Sequence, residues 1–375
     1  NPNNPVIGYR SFGEDKIKVA EKALAFVKGT ESEGVLTSIK HFPGHGDTET
    51  DSHLGLPLIE KSKEELITNE LYPFQKLIDE RVDSVMVGHL SVPALANGEK
   101  ISSSISKEII KGVLRNEMGY DGVVISDALN MHAVSKNFPV KGALEWLAFD
   151  AGNDVLCFAE NVAEGMDTIQ KNASTEQIEE SFERIWKLKE KAIPTQIQKS
   201  NSNAKPKTDD KLNKKLAEHS LTLVKGSDSD INTFMKGGFC TLTMKRSAHE
   251  KNDVDVLNSL KTSISEVEKE DDILVLMTPP QVKPANNFGF LKEEINFINE
   301  LIQTKNVVLY LFGNPYVLNH FNIERATAIV VAYQDFQEFQ DAATEHFLGT
   351  LEAKGKLSVR IQTEFKTPPF RKREE

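Results

Sequence analysis

The stretch GYDGVVISDALNM, residues 119–131, decides how this chain folds. Val123, Val124 and Ile125 form a short apolar strand, and Asp127 emerges just past its C-terminal end. Taken alone, Asp127 has two readings. It caps the helix that ALNMHAV begins, as an aspartate in that position would, or it is a reactive carboxylate presented at the mouth of a barrel.

The same arrangement recurs on either side. Apolar runs of strand length occupy residues 35–39, 84–87, 122–125 and 154–158, and amphipathic helical patterns occupy 61–81, 107–118 and 141–151. Such alternation implies parallel strands joined by crossover helices. Each run ends in a chemically loaded turn: KHFPGHGD, GHLSVP, SDALNM and CFAEN. Functional residues at the C-terminal ends of parallel strands are the arrangement of a (β/α)8 TIM-type barrel, although an open doubly wound sheet gives the same local pattern. Four strand–helix units precede residue 195, whereas a whole barrel takes about 250 residues. The fold class is therefore α/β, with residues 1–195 expected to form only the C-terminal part of the barrel.

Residues 196–216 lie in a polar, lysine-rich segment with two prolines and read as a linker. Beyond it, residues 217–375 are expected to form an α/β sandwich domain. Its strands are expected near 221–224, 239–243, 273–277, 307–312 and 328–333, with helices at 292–304 and 335–348.

Composition narrows the function. The hydrophobic share of 39 % and charged share of 27 % are those of an ordinary globular protein. A net charge of −11 offers no basic field to attract phosphates, which excludes a general nucleic-acid binder. The longest apolar runs are strand-sized, so no membrane-spanning helix is expected. Cys157 and Cys240 read as buried free thiols rather than a pair. The opening NPNNPVIGYRSFGED carries neither an initiator Met nor a signal peptide and reads as a fragment or a processed product.

The densest cluster of reactive side chains is IKHFPGHGDTETDSHLGLP, residues 39–57. His41, His45, Asp47, Asp51 and His53 are all metal-ligand types, but their spacing matches no helix-borne metal motif. GHGDT lacks the order of a phosphate-binding loop, and its acidic residues repel an anion. A structural loop with incidental histidines is a third reading. A proton-transfer loop is the fourth, and it fits best. In DSH, a turn brings the Asp51 carboxylate onto one nitrogen of His53 and leaves the other for a substrate. That pairing raises the imidazole above its reference of ~6.5, so His53 donates a proton at neutral pH. Gly44, Gly46 and Gly55 let such a loop open and close. With Asp127 as nucleophile and His53 as acid/base, the residues describe a two-step displacement at an acetal carbon.

KHFPGHGDTETDSHLGLP, ISDALNM and NNPVIGYRSFGED together resemble the β-N-acetylglucosaminidases of glycoside hydrolase family 3, the bacterial enzymes of peptidoglycan turnover. The resemblance is strong over residues 1–195 and looser over 220–360, which are similar to the family's C-terminal α/β sandwich domain. It implies a retaining exo-β-N-acetylglucosaminidase that acts on muropeptides or chitooligosaccharides without cofactor or metal. By the same resemblance, Asp127 is the nucleophile and Asp51 and His53 are the acid/base dyad. Lys40 and His41 bind sugar hydroxyls, and Arg10 lies in the same subsite. Met131 and His89 are expected to line or support the pocket, and His45 and Asp47 to hold the loop's shape. Two alternatives stay open: phosphorolysis of the same bond, and a non-catalytic saccharide-binding protein. The family also carries further sequence ahead of NPNNPVIG that supplies the first barrel strands and an aspartate gripping the sugar. Either such upstream sequence or a partner chain is expected to complete the barrel. Localisation in the cell envelope, periplasm or outside the cell is favoured over the cytoplasm.

Overall fold

The computed structural model describes residues 1–48, 55–193, 210–246, 253–267 and 269–361. The chain forms two compact units, Asn1–Ser202 and Asn203–Glu375.

The first unit is built on three parallel strands: β1 (Ser38–Phe42), β2 (Ser84–Val87) and β3 (Val123–Ser126), in the order β1-β2-β3. Helices connect them, as parallel strands require. Helix Leu71–Asp79 buries Leu71, Phe74, Leu77 and Ile78 on one face, and Phe74 meets Phe42 of β1 edge-on at 5.3 Å. Helix Lys16–Glu31 starts at Asp15, whose carboxylate accepts the N–H groups of Ile17 and Lys18. Helix Glu108–Glu117 buries Ile109, Ile110, Val113 and Leu114, and it ends on a wide turn in which the Met118 N–H donates to the Val113 carbonyl. These side chains and those of Ile39, Val85, Val87 and Val124 share one apolar core. The result is an open part of a TIM-type barrel, with the C-terminal ends of β1–β3 at one rim.

Four expectations need correction. The first strand begins at Ser38, not at Val35, which is exposed. The helical pattern at 61–81 breaks into Lys63–Thr68 and Leu71–Asp79. Pro73 explains the break: it has no N–H to give to the Asn69 carbonyl, and its ring would strike that carbonyl in an unbroken helix. The run at 154–158 is no full strand. It pairs with β3 only at Ile125–Val155, because the Asp154 carboxylate accepts the Val124 N–H at 2.8 Å and Phe158 turns left-handed at φ +48°. Finally, Cys157 and Cys240 are free but half-buried.

The second unit is a five-stranded sheet of β4 (Thr222–Lys225), β5 (Cys240–Met244), β6 (Asp272–Met277), β7 (Asn306–Leu311) and β8 (Ala328–Val331). Its order is β4-β8-β7-β6-β5, with β4 antiparallel and the rest parallel. In β7, Val307 and Leu309 join one apolar cluster, and Val308 and Tyr310 join another. Alternation along the strand thus buries both faces, as a sheet covered by helices on each side demands. Helix Lys292–Thr304 matches its sequence pattern, and helix Gln337–Phe347 falls within the expected 335–348. Residues 194–209, most of the segment read as a linker, lie outside the described residues, and its last part runs into helix Asp210–Ser220.

Candidate active site

Asp127 follows β3 at the rim. Its N–H donates to the Val87 carbonyl at 2.8 Å, and its Oδ1 accepts the Ala128 N–H at 2.9 Å. The helix-cap reading fails here. The next helix, His132–Ser135, starts five residues beyond Asp127, with Met131 at its N-cap and no side-chain cap. Asp127 is half-buried, so part of its carboxylate still meets solvent.

His41, on β1, is buried to 9 % exposure, and its Nδ1 has no hydrogen-bond partner among the described residues. Burial pulls this imidazole down from its usual value to about 4. The Asp127 carboxylate works the other way, while the positive charges of Lys40, His45 and Arg10 reinforce burial. His41 is therefore neutral at pH 7. The same balance shows that Arg10, Lys40, His45 and Asp127 all lie within electrostatic reach of one ring. Lys40 and Arg10 are exposed; the Arg10 Nε–H donates to the Val6 carbonyl at 3.2 Å. Met131 is half-buried on the turn after Asp127, at the N-cap of helix His132–Ser135. Asp51 and His53 lie outside the described residues.

The stem of the loop that leads to them is described. His45 is buried edge-on to His41 at 5.7 Å, and its Nδ1 lies 2.8 Å from Thr48 Oγ1. The Asn4 amide nitrogen donates to the carbonyls of His45 and Gly46 and to Thr48 Oγ1, while its oxygen accepts the N–H groups of Val6 and Ile7. Asn4 thus ties the segment that carries Arg10 to the loop stem. Lys61 bridges Asp47 and Glu70, each at 2.5 Å. Its hydrogen bond holds the Asp47 carboxyl below the usual range. Burial opposes the Lys61 charge, yet the bonds to Asp47 and Glu70 raise it above its ordinary value. Gly44 sits at φ +131° with its missing Cβ 3.0 Å from Glu70 Cβ, so this close approach needs glycine.

His89 is fully buried after β2. Its Nε2–H donates to the Ala128 carbonyl at 2.9 Å, and Nδ1 accepts from Ser104 Oγ at 2.8 Å. Burial lowers its pKa, against the pull of the Ala128 bond and of Asp127. It braces the residue next to Asp127 from below. Sequence reasoning missed Asn4, Lys61, Glu70 and Ser104, whose roles come from partners far away in the chain. Among the described residues, no three His, Cys, Asp or Glu side chains converge as metal ligands would, and no helix is long and apolar enough to cross a membrane.

Residues 1–188 match the family described as "Glycosyl hydrolase family 3 N terminal domain". Over 216 residues the chain is 38 % identical to β-hexosaminidase A of Pseudoalteromonas piscicida, covering 51 % of this chain and 36 % of that protein. It is 39 % identical over 160 residues to β-hexosaminidase LpqI of Mycobacterium tuberculosis, covering 41 % of this chain and 40 % of the other. The chain thus spans well under half the length of either relative. A solved glycoside hydrolase family 3 β-N-acetylglucosaminidase from Paenibacillus sp. strain FPU-7 superimposes with a TM-score of 0.77 at 25 % identity, over 97 % of this chain and 74 % of that one.

Proposed function

Because the chain belongs to glycoside hydrolase family 3, we propose that it is a retaining exo-β-N-acetylglucosaminidase releasing N-acetylglucosamine from peptidoglycan fragments or chitooligosaccharides. The observation that carries this reading is an Asp127 carboxylate at the end of a parallel strand within electrostatic reach of the neutral His41 ring, which the charges of Arg10 and Lys40 reach as well. The names of its β-hexosaminidase relatives support the substrate class. Residues 1–195 act as the catalytic barrel part, and residues 217–375 as a sandwich domain joined through 196–216.

In the first step, an Asp127 oxygen attacks the anomeric carbon while the glycosidic C–O bond breaks. His53 gives its proton to the leaving oxygen, and Asp51 steadies the imidazole. In the second step, His53 takes a proton from water, the water oxygen attacks the same carbon, and Asp127 leaves as a carboxylate. Lys40 and Arg10 donate to sugar hydroxyls with charge-assisted bonds, and His41 donates as a neutral ring. His53 alternates between imidazolium and neutral imidazole, so it never sets a second negative charge beside the Asp127 anion as a carboxylate could. Met131 lines the sugar's side of the turn.

The test is hydrolysis of a chromogenic aryl N-acetyl-β-glucosaminide by the full chain, with and without phosphate. Release that ignores phosphate is expected, and Asp127→Asn is expected to cut it by about 10³-fold or more while sugar affinity stays within a few fold. Phosphate-dependent release would replace hydrolysis with phosphorolysis. Sugar binding without turnover in either buffer would leave a saccharide-binding protein.

A further inference from the structure

Phe158 combines three properties that no packing among the described residues explains. It is an aromatic residue with 71 % of its surface exposed. Its backbone is left-handed at φ +48°, a conformation costly for a bulky side chain and one that gathers at functional sites. Its segment is also tied to the one that carries Asp127. Val155 pairs in parallel with Ile125, so Asp127 follows that pairing by two residues and Phe158 by three. Two hydrogen bonds hold that register: the Cys157 N–H donates to Ser126 Oγ at 3.0 Å, and the Leu129 N–H donates to the Cys157 carbonyl at 2.9 Å. The turn bearing Phe158 is thereby bonded on both sides of the turn bearing Asp127.

The left-handed residue also interrupts the alternation of side chains along the segment, which re-aims the ring away from the face it would otherwise occupy. Exposure rises outward through the site, from His41 at 9 % through half-buried Asp127 to Phe158 at 71 %. An exo-acting site encloses the sugar it cleaves and leaves the leaving group at the rim. We propose that Phe158 determines specificity for the aglycone, its ring stacking on the apolar C–H face of the pyranose on the leaving-group side of the scissile bond. This inference rests on the glycosidase reading above. It names the group that recognises the part of the substrate Asp127 does not touch.

Two substrates separate the roles. Chitobiose carries a pyranose aglycone, whereas N-acetyl-β-glucosaminyl fluoride carries a single atom there. Phe158→Asn removes the ring and keeps a residue that tolerates the left-handed backbone; Phe158→Tyr keeps the ring. In the full chain, Phe158→Asn is expected to lower kcat/KM for chitobiose by about tenfold, the size of one aromatic contact. The fluoride should change less than twofold, and Phe158→Tyr should restore chitobiose turnover. Equal losses on both substrates, or a lowered Tm with an unchanged ratio, would make Phe158 structural and overturn the inference. An unchanged ratio in an active, equally stable variant overturns it too, with the glycosidase reading intact. If the unaltered chain turns over neither substrate, that reading itself fails and this inference falls with it.

Discussion

The neutrality of His41 makes a prediction whose size follows from the site. The ring titrates near 4 in the folded protein, against about 6.5 in an unfolded chain. Between those values the unfolded state binds a proton that the folded state refuses, so stability is complete above about pH 6.5 and falls as pH drops toward 4. Linkage puts the loss from this one ring at about 2 kcal/mol between pH 7 and pH 5. The assay is urea unfolding at pH 7, 6 and 5, compared with His41→Asn, which has no proton to bind. Both tryptophans, Trp146 and Trp186, lie in the first unit, so their fluorescence reports the unfolding of that unit alone. His89 shifts in the same direction and is present in both proteins, so its contribution cancels in the comparison. The unaltered chain should lose about 2 kcal/mol more than His41→Asn on going from pH 7 to pH 5. Parallel pH profiles for the two proteins would refute the account of a ring kept neutral by burial.

Two further outcomes test the framework around the site. Asp154 is buried, and its carboxylate holds Arg115 at 2.9 Å, Arg184 at 3.0 Å and the Val124 N–H at 2.8 Å; Asp154→Asn should destabilise the first unit by about 3 kcal/mol in tryptophan-monitored urea unfolding, because two part-buried guanidinium groups lose their counter-ion. His89→Leu leaves the Ala128 carbonyl without its donor, so steady-state kinetics should show kcat lowered by about tenfold with KM within twofold; partial recovery in His89→Gln, which keeps an N–H, marks a positioning residue, whereas lost stability with normal kcat marks a structural one.

How much of this was legible in the sequence depends on the range of the interactions involved. Strands and loaded turns are local patterns, and β2, β3 and the strands of the second unit emerge within a residue or two of their apolar runs. The break at Pro73 was missed, although a missing N–H is a property of one residue and needs no distant partner to be read. The failure at 154–158 was not legible in that way. Asp154 looks like the start of a strand until Arg115 and Arg184, 39 and 30 residues away, claim its carboxylate. Asn4 is the same case at the loop stem: a polar residue among prolines, whose five side-chain hydrogen bonds include three that span more than 40 residues. Sequence patterns name the groups able to do chemistry, but the residues that aim them are recognised only by their distant partners.

One chain of hydrogen bonds explains why those distant partners matter to reactivity. The Gly88 N–H donates to the Phe42 carbonyl at 2.9 Å, the Asp127 N–H to Val87 at 2.8 Å, and the Leu129 N–H to Cys157 at 2.9 Å. Each strand-end turn is bonded to the next around the rim, from the Lys40–His41 pair through His89 and Asp127 to Phe158. The sheet's register therefore sets the spacing of all these side chains together. A slip of one residue in β3 would turn every one of its side chains to the opposite face, and it would carry Asp127 off the Val87 carbonyl. The register that buries Val123 and Val124 and leaves Ile125 half-buried is thus also what holds Asp127 on the Val87 carbonyl. In this rim, core packing and site geometry are specified by the same residues.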